Sequence, residues 1–187
     1  MSSISIAGDT SGSVILQAPS VAGSTTLTLP TTTGTLVTSN AMPTGSVLQV
    51  VQGTYSTFTS SSSSTYADTG LSVSITPSSS SNKILAFSSM VGVGKNTGNT
   101  KVKLRLVRGS TTIDVFATEA AGTPWSGTTQ LDIGTLSAIA LDSPSTTSSI
   151  TYKIQFASEA NVTQVFINNT NETPEYGSTL TLMEIKA

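Results

Sequence analysis

The sequence predicts an all-β chain, an antiparallel β-sandwich of jelly-roll type preceded by an extended β-hairpin arm. Three observations carry that prediction. Ser and Thr supply about a third of the 187 residues and hydrophobic residues 36%, a blend rich in strand formers such as Thr and Val and poor in helix formers. Apolar and polar residues alternate at period two in one segment after another, and no segment shows the 3.6-residue helical period. Turn residues separate these segments into roughly eight to ten strands after the arm, the strand count of a sandwich or jelly roll.

The arm is predicted over residues 1–40. ISIAGDTSGSVIL turns at Gly8 to Gly12, and TTLTLPTTTGTLV turns at Pro30 to Gly34, loop lengths and Gly placements that suit hairpins. Its large apolar residues are few, chiefly Val14, Leu16, Leu27, Leu29, Leu36 and Val37. A segment of this kind buries too little surface to fold alone, so those six are expected to pack on other chains as an attachment and assembly segment. Asn40 and Pro43 break strands and mark a boundary, and the sandwich is expected over 45–187.

Within the sandwich, Ser46 to Tyr55 reads as the first strand, followed by a Ser-rich loop. Leu71, Val73 and Ile75 share one face of a strand stopped by Pro77. Lys83 to Gly94 carries apolar residues on both faces, which suits a strand buried on both sides or lying at a subunit contact. KVKLRLVR alternates most cleanly: Val102, Leu104 and Leu106 point inward, Lys101, Lys103 and Arg105 outward. A hairpin at Gly109-Ser110 leads to Ile113, Val115 and Ala117 on one face. Leu131, Ile133, Ile139 and Leu141 share parity along the next strand, with a bend at Gly134. Tyr152, Ile154 and Phe156 then group together, followed by Val165 and Ile167. The last strand places Leu180 and Leu182 inward, then shifts parity to Met183 and Ile185, which predicts a bulge near Leu182. Strongly apolar strands at both ends of the domain fit a jelly roll, where first and last strands are neighbours.

Composition removes several functions. The chain has no Cys and no His, so disulfides, thiol or imidazole catalysis and thiolate or imidazole zinc sites are excluded. A formal net charge of −2 with 10% charged residues gives no basic field for nucleic acid or anionic lipid. No signal-peptide pattern and no apolar run of membrane-spanning length is present, so a soluble chain without membrane insertion is expected.

The remaining motifs are weak. Asp68-Thr69-Gly70 matches the aspartic-protease triplet, but it lies between a Ser run and a strand and has no second copy. Asp68 is therefore expected to bond its local backbone. The Lys101, Lys103, Arg105 row suits either phosphate and sulfated sugar or a solvated outer face. Trp125, in the loop TPWSG, suits a sugar-stacking platform, a packed loop or a subunit contact. Asp114, Glu119, Asp132 and Asp142 lack a calcium-loop pattern and read as surface carboxylates. The sequons at Asn161, Asn168 and Asn171 read as coincidences of a Thr-rich chain. No catalytic residue, cofactor or metal is expected, and the chain reads as a non-enzyme.

Two stretches carry a family resemblance. GSVILQAPSVAGSTTLTLPTTTGTLVT is similar to a module of tailed-bacteriophage virion structural proteins of the marine tail-fibre and head-decoration type. TYADTGLSVSITPSSSSNKILAF resembles a second pattern from the same group. Together they span 50 residues. The resemblance implies a homotrimeric virion protein assembled in the host cytoplasm, its N-terminal arm bound to other virion proteins of capsid or tail and its C-terminal β-domain exposed. Capsid decoration, head fibre and short tail fibre all fit, as does a receptor-recognition module whose Trp125 contacts host surface glycans.

Overall fold

The computed structural model describes residues 3–7, 10–17, 20–21, 23, 31, 42–96, 100–121, 131–159, 164–169 and 177–187. The chain divides into two compact units, Met1–Thr38 and Ser39–Ala187. In the first, β1 (Ser3–Ala7) and β2 (Ser13–Gln17) form a two-stranded antiparallel ribbon, with Ile4 opposite Leu16 and Ile6 opposite Val14.

The second unit holds β3 (Val47–Tyr55), β4 (Thr59–Ser61), β5 (Ala67–Ile75), β6 (Lys83–Lys95), β7 (Val102–Arg108), β8 (Thr111–Ala120), β9 (Leu131–Asp142), β10 (Ile150–Ser158), β11 (Val165–Ile167) and β12 (Ser178–Ile185). One sheet runs β3-β12-β6 with β9 on β6, and β11 and β4 continue it at the far end of β6. The other runs β5-β10-β7-β8. The antiparallel pairs nest: β3 with β12, β5 with β10, β6 with β9 and β7 with β8. A chain doubled back on itself and rolled so that these pairs alternate between two sheets is a jelly roll. Its ends are zipped together, since Gly45 N–H donates to Lys186 O and Lys186 N–H to Ser46 O.

Between the sheets lies an apolar core. Leu71, Val73 and Ile75 of β5, Val102, Leu104 and Leu106 of β7, Tyr152, Ile154 and Phe156 of β10, and Leu180 and Leu182 of β12 all face it, as their alternation predicts.

Three strands differ from the sequence expectation. In β9, Gly134 adopts φ +96° beside register shifts against β6. The extra residue reverses the pleat: Ile133 packs on the core, but downstream Leu136, Ala138 and Ala140 do so while Ile139 and Leu141 face solvent, 65% and 56% exposed. The shared parity expected for Ile133, Ile139 and Leu141 is thus broken by this bulge. In β8, register shifts against β7 bring Ile113, Phe116, Ala117 and Ala120 to the core and leave Val115 outside. In β12 no shift occurs at Leu182. Leu180, Leu182 and Glu184 all point inward, and the register breaks later, between Glu184 and Ile185 against β3.

Candidate functional site

Among the described residues, two exposed surfaces carry the most distinctive chemistry. On the ribbon, Ile4, Ile6 and Ile15 are 65%, 57% and 58% exposed. Of the six residues predicted for attachment, Val14 and Leu16 stand in β2, opposite Ile6 and Ile4. Leu27, Leu29, Leu36 and Val37 lie outside the described residues, as does Trp125.

The two outer faces of the jelly roll differ sharply in chemistry. On the β5-β10-β7-β8 face the cations are largely paired. Lys153 Nζ lies 2.7 Å from Asp68, whose other oxygen accepts from Gln155 Nε2. Gln155 in turn accepts from Arg105 Nε. The Arg105 guanidinium sits 4.0 Å over the Tyr66 ring, a cation–π contact. Lys101 bridges Glu119 and Glu159. Partial burial pushes the Asp68 carboxyl up, yet the hydrogen bonds from Lys153 and Gln155 and the Lys153 charge outweigh it and hold the group below its ordinary value. Asp68 therefore bonds across strands instead of capping its own backbone as expected. Asp68, Glu119 and Glu159 already occupy the positions an anionic ligand would take on Lys153 and Lys101, so a solvated, self-neutralised face describes this row.

The β3-β12-β6-β9 face is different. Strand register aligns Val50, Met183, Leu85 and Leu141 in one outward row, and Gln52, Thr181, Phe87 and Ile139 in the next. A third row holds Thr54, Thr179, Ser89 and Ser137. No charged residue stands in these rows. Val50, Ile139 and Leu141 are more than half exposed. Scattered exposed apolar residues are ordinary, but a contiguous uncharged patch marks a contact surface. Sequence reasoning singled out the doubly apolar β6, yet missed Ile139 and Leu141, because only the Gly134 bulge turns them outward.

The buried ionisable groups are engaged in structure. Asp142 accepts hydrogen bonds from Tyr152 OH and Arg108 Nε, both at 2.6 Å, tying β9 of one sheet to β7 and β10 of the other. Burial first, then the bond to Asp142, pushes the Tyr152 hydroxyl well above its ordinary value, so it stays a donor. Tyr152→Phe is expected to cost about 1–2 kcal/mol, because it strands part of the Asp142 carboxylate without a donor. A lowered urea midpoint would read this out, and an unchanged one would show that Arg108 alone holds Asp142. Thr69 is fully buried and donates to Ile154 O, so the middle of the Asp-Thr-Gly triplet serves the β5-β10 pairing. Asn168 is buried with φ +55° and donates to Thr57 O. Asp132 accepts from Asn169. Among the described residues no group of three or more His, Cys, Asp or Glu is placed to hold a metal ion, and no helix is long and apolar enough to cross a membrane.

No protein-family model matches the chain, and no curated protein matches it. Solved structures similar to it include the crystal structure of the infectious bursal disease virus VP2 subviral particle, at 12% sequence identity and a TM-score of 0.39. The match covers 74% of this chain and 37% of that one, so the chain spans little more than a third of the VP2 length.

Proposed function

We propose that this chain is a non-enzymatic structural protein of a tailed-phage particle, a homotrimeric surface appendage whose N-terminal arm anchors it while the jelly roll projects. The observation that carries this reading is the β1-β2 ribbon, which exposes Ile4, Ile6 and Ile15. An isolated two-stranded ribbon is marginal in water, and exposed isoleucines on it gain by packing against another surface, at about 25 cal/mol per Å² of apolar area removed from water. The similarity of the segment beginning at Gly12 to a virion module supplies the neighbourhood, and the uncharged sheet face supplies a surface for assembly. The self-neutralised opposite face and the hydrogen-bonded carboxylates fit a structural role.

Deleting residues 1–40 is expected to leave a cooperatively melting β-domain that no longer binds particles stripped of this protein. Occupancy of those particles would be measured by quantitative gel densitometry. Full occupancy by the truncated chain would rule the anchoring role out.

A further inference from the structure

We propose that the outer face of the β3-β12-β6-β9 sheet is where copies of this chain meet. The inference deepens the assembly reading above and rests on it for the expectation that copies associate. Its grounds are area and charge.

Four strands about 4.8 Å apart, carrying three outward rows about 6.8 Å apart and the residues that flank them, span about 500 Å² in plan. Side-chain relief brings the accessible area close to the roughly 800 Å² that each partner contributes to a stable interface. Val50, Leu141, Phe87 and Ile139 supply its apolar centre. A strongly charged partner would need countercharges on this surface, and these rows hold none. Lys83 stands only at one end, opposite Ile185. An uncharged sheet face presents no like charges to its own copy, so it can be buried around a three-fold axis, where one side of the face meets the other side of the next copy's. With a net charge of only −2 per chain, copies approach with little mutual repulsion. The opposite face, with Lys153, Asp68, Lys101 and Glu119 paired in water, then remains outside.

The test uses the full-length chain and light-scattering mass across a concentration series. The wild-type chain is expected to be multimeric, and Ile139→Lys and Phe87→Lys are each expected to raise the dissociation constant tenfold or more, as unpaired charges enter a desolvated contact. Ile139→Leu, which keeps the apolar contact, and Lys103→Glu, on the opposite face, should keep the wild-type mass. Far-UV circular dichroism checks that every variant retains its β-structure, as expected for positions exposed in the single chain. A multimer that persists in both lysine variants overturns this inference while leaving assembly intact. A wild-type chain that is monomeric at about 100 µM overturns the inference and the trimer together, and leaves arm anchoring to be judged by its own deletion.

Discussion

Glu184→Gln is expected to cost about 3 kcal/mol and to lower the melting temperature by roughly 6–12 °C. Glu184 is fully buried near the end of β12. Its carboxylate accepts hydrogen bonds from Gln49 Nε2, Asn82 Nδ2, and both the backbone N–H and hydroxyl of Ser78. Every group facing it donates. A glutamine amide offers one acceptor oxygen and turns its own NH₂ toward donors, so either orientation leaves buried donors unmet. These partners come from β3, from the loop after Pro77 and from the turn before β6, so one carboxylate fastens together the segments where the jelly roll closes. Asn82 extends the network by accepting from Ala187 N–H. An unchanged melting temperature would mean that water or a rearranged loop replaces the carboxylate.

The same site has a pH signature. Burial pushes the Glu184 carboxyl up, but the hydrogen bonds from Asn82, Gln49 and Ser78 outweigh it and hold the group below its ordinary value of 4.5. A carboxyl lowered in the folded state contributes stability that is present above that ordinary value and is lost as pH falls through the folded value. Melting temperature should therefore fall in acid more steeply for the wild-type chain than for Glu184→Gln. Equal slopes would assign the acid sensitivity to other carboxylates, Asp68 among them.

Glu184 also shows where the sequence stops being readable. Alternation alone identifies the core faces of β5, β7 and β10, because burying Leu104 or Ile154 needs nothing beyond apolar neighbours. In STLTLMEI the same alternation points Glu184 inward, whereas the expectation of a bulge near Leu182 follows the apolar Met183 and Ile185 onto the other parity. The donors that make burial tolerable come from residues as much as 135 positions away, and no local pattern reveals them. The β9 case runs the other way. Ile139 and Leu141 read as core beside Ile133, and one glycine at φ +96° sends small Ala138 and Ala140 inward in their place. The candidate contact face is thus half legible: β6 announces it through apolar residues on both sides, whereas the β9 half depends on a bulge whose direction only the paired strand settles. On the arm, the first hairpin turn follows from its glycines, whereas nothing in the alternation of Ile4 and Ile6 with serines reveals that both are exposed.

Gly70→Ala is expected to cost about 3–4 kcal/mol, from two separable sources. Gly70 sits in β5 at φ +99°, a conformation that costs an L-residue about 1–2 kcal/mol. A Cβ there would also lie 2.4–2.8 Å from three carbons of the Tyr55 ring, and overpacking of this severity costs about 1–3 kcal/mol. The glycine thus explains the D-T-G-L sequence physically: its bare backbone is the floor on which the Tyr55 ring from β3 lies, while Tyr55 OH reaches Thr59 Oγ1 at 3.2 Å. Truncating the ring separates the two costs. In a Tyr55→Ala background, Gly70→Ala should retain only the backbone strain, so urea unfolding of the four chains in the cycle should yield a coupling of at least about 1 kcal/mol. Additive effects would show that the ring moves aside freely, and the demand for glycine at this position would then come from its backbone conformation alone.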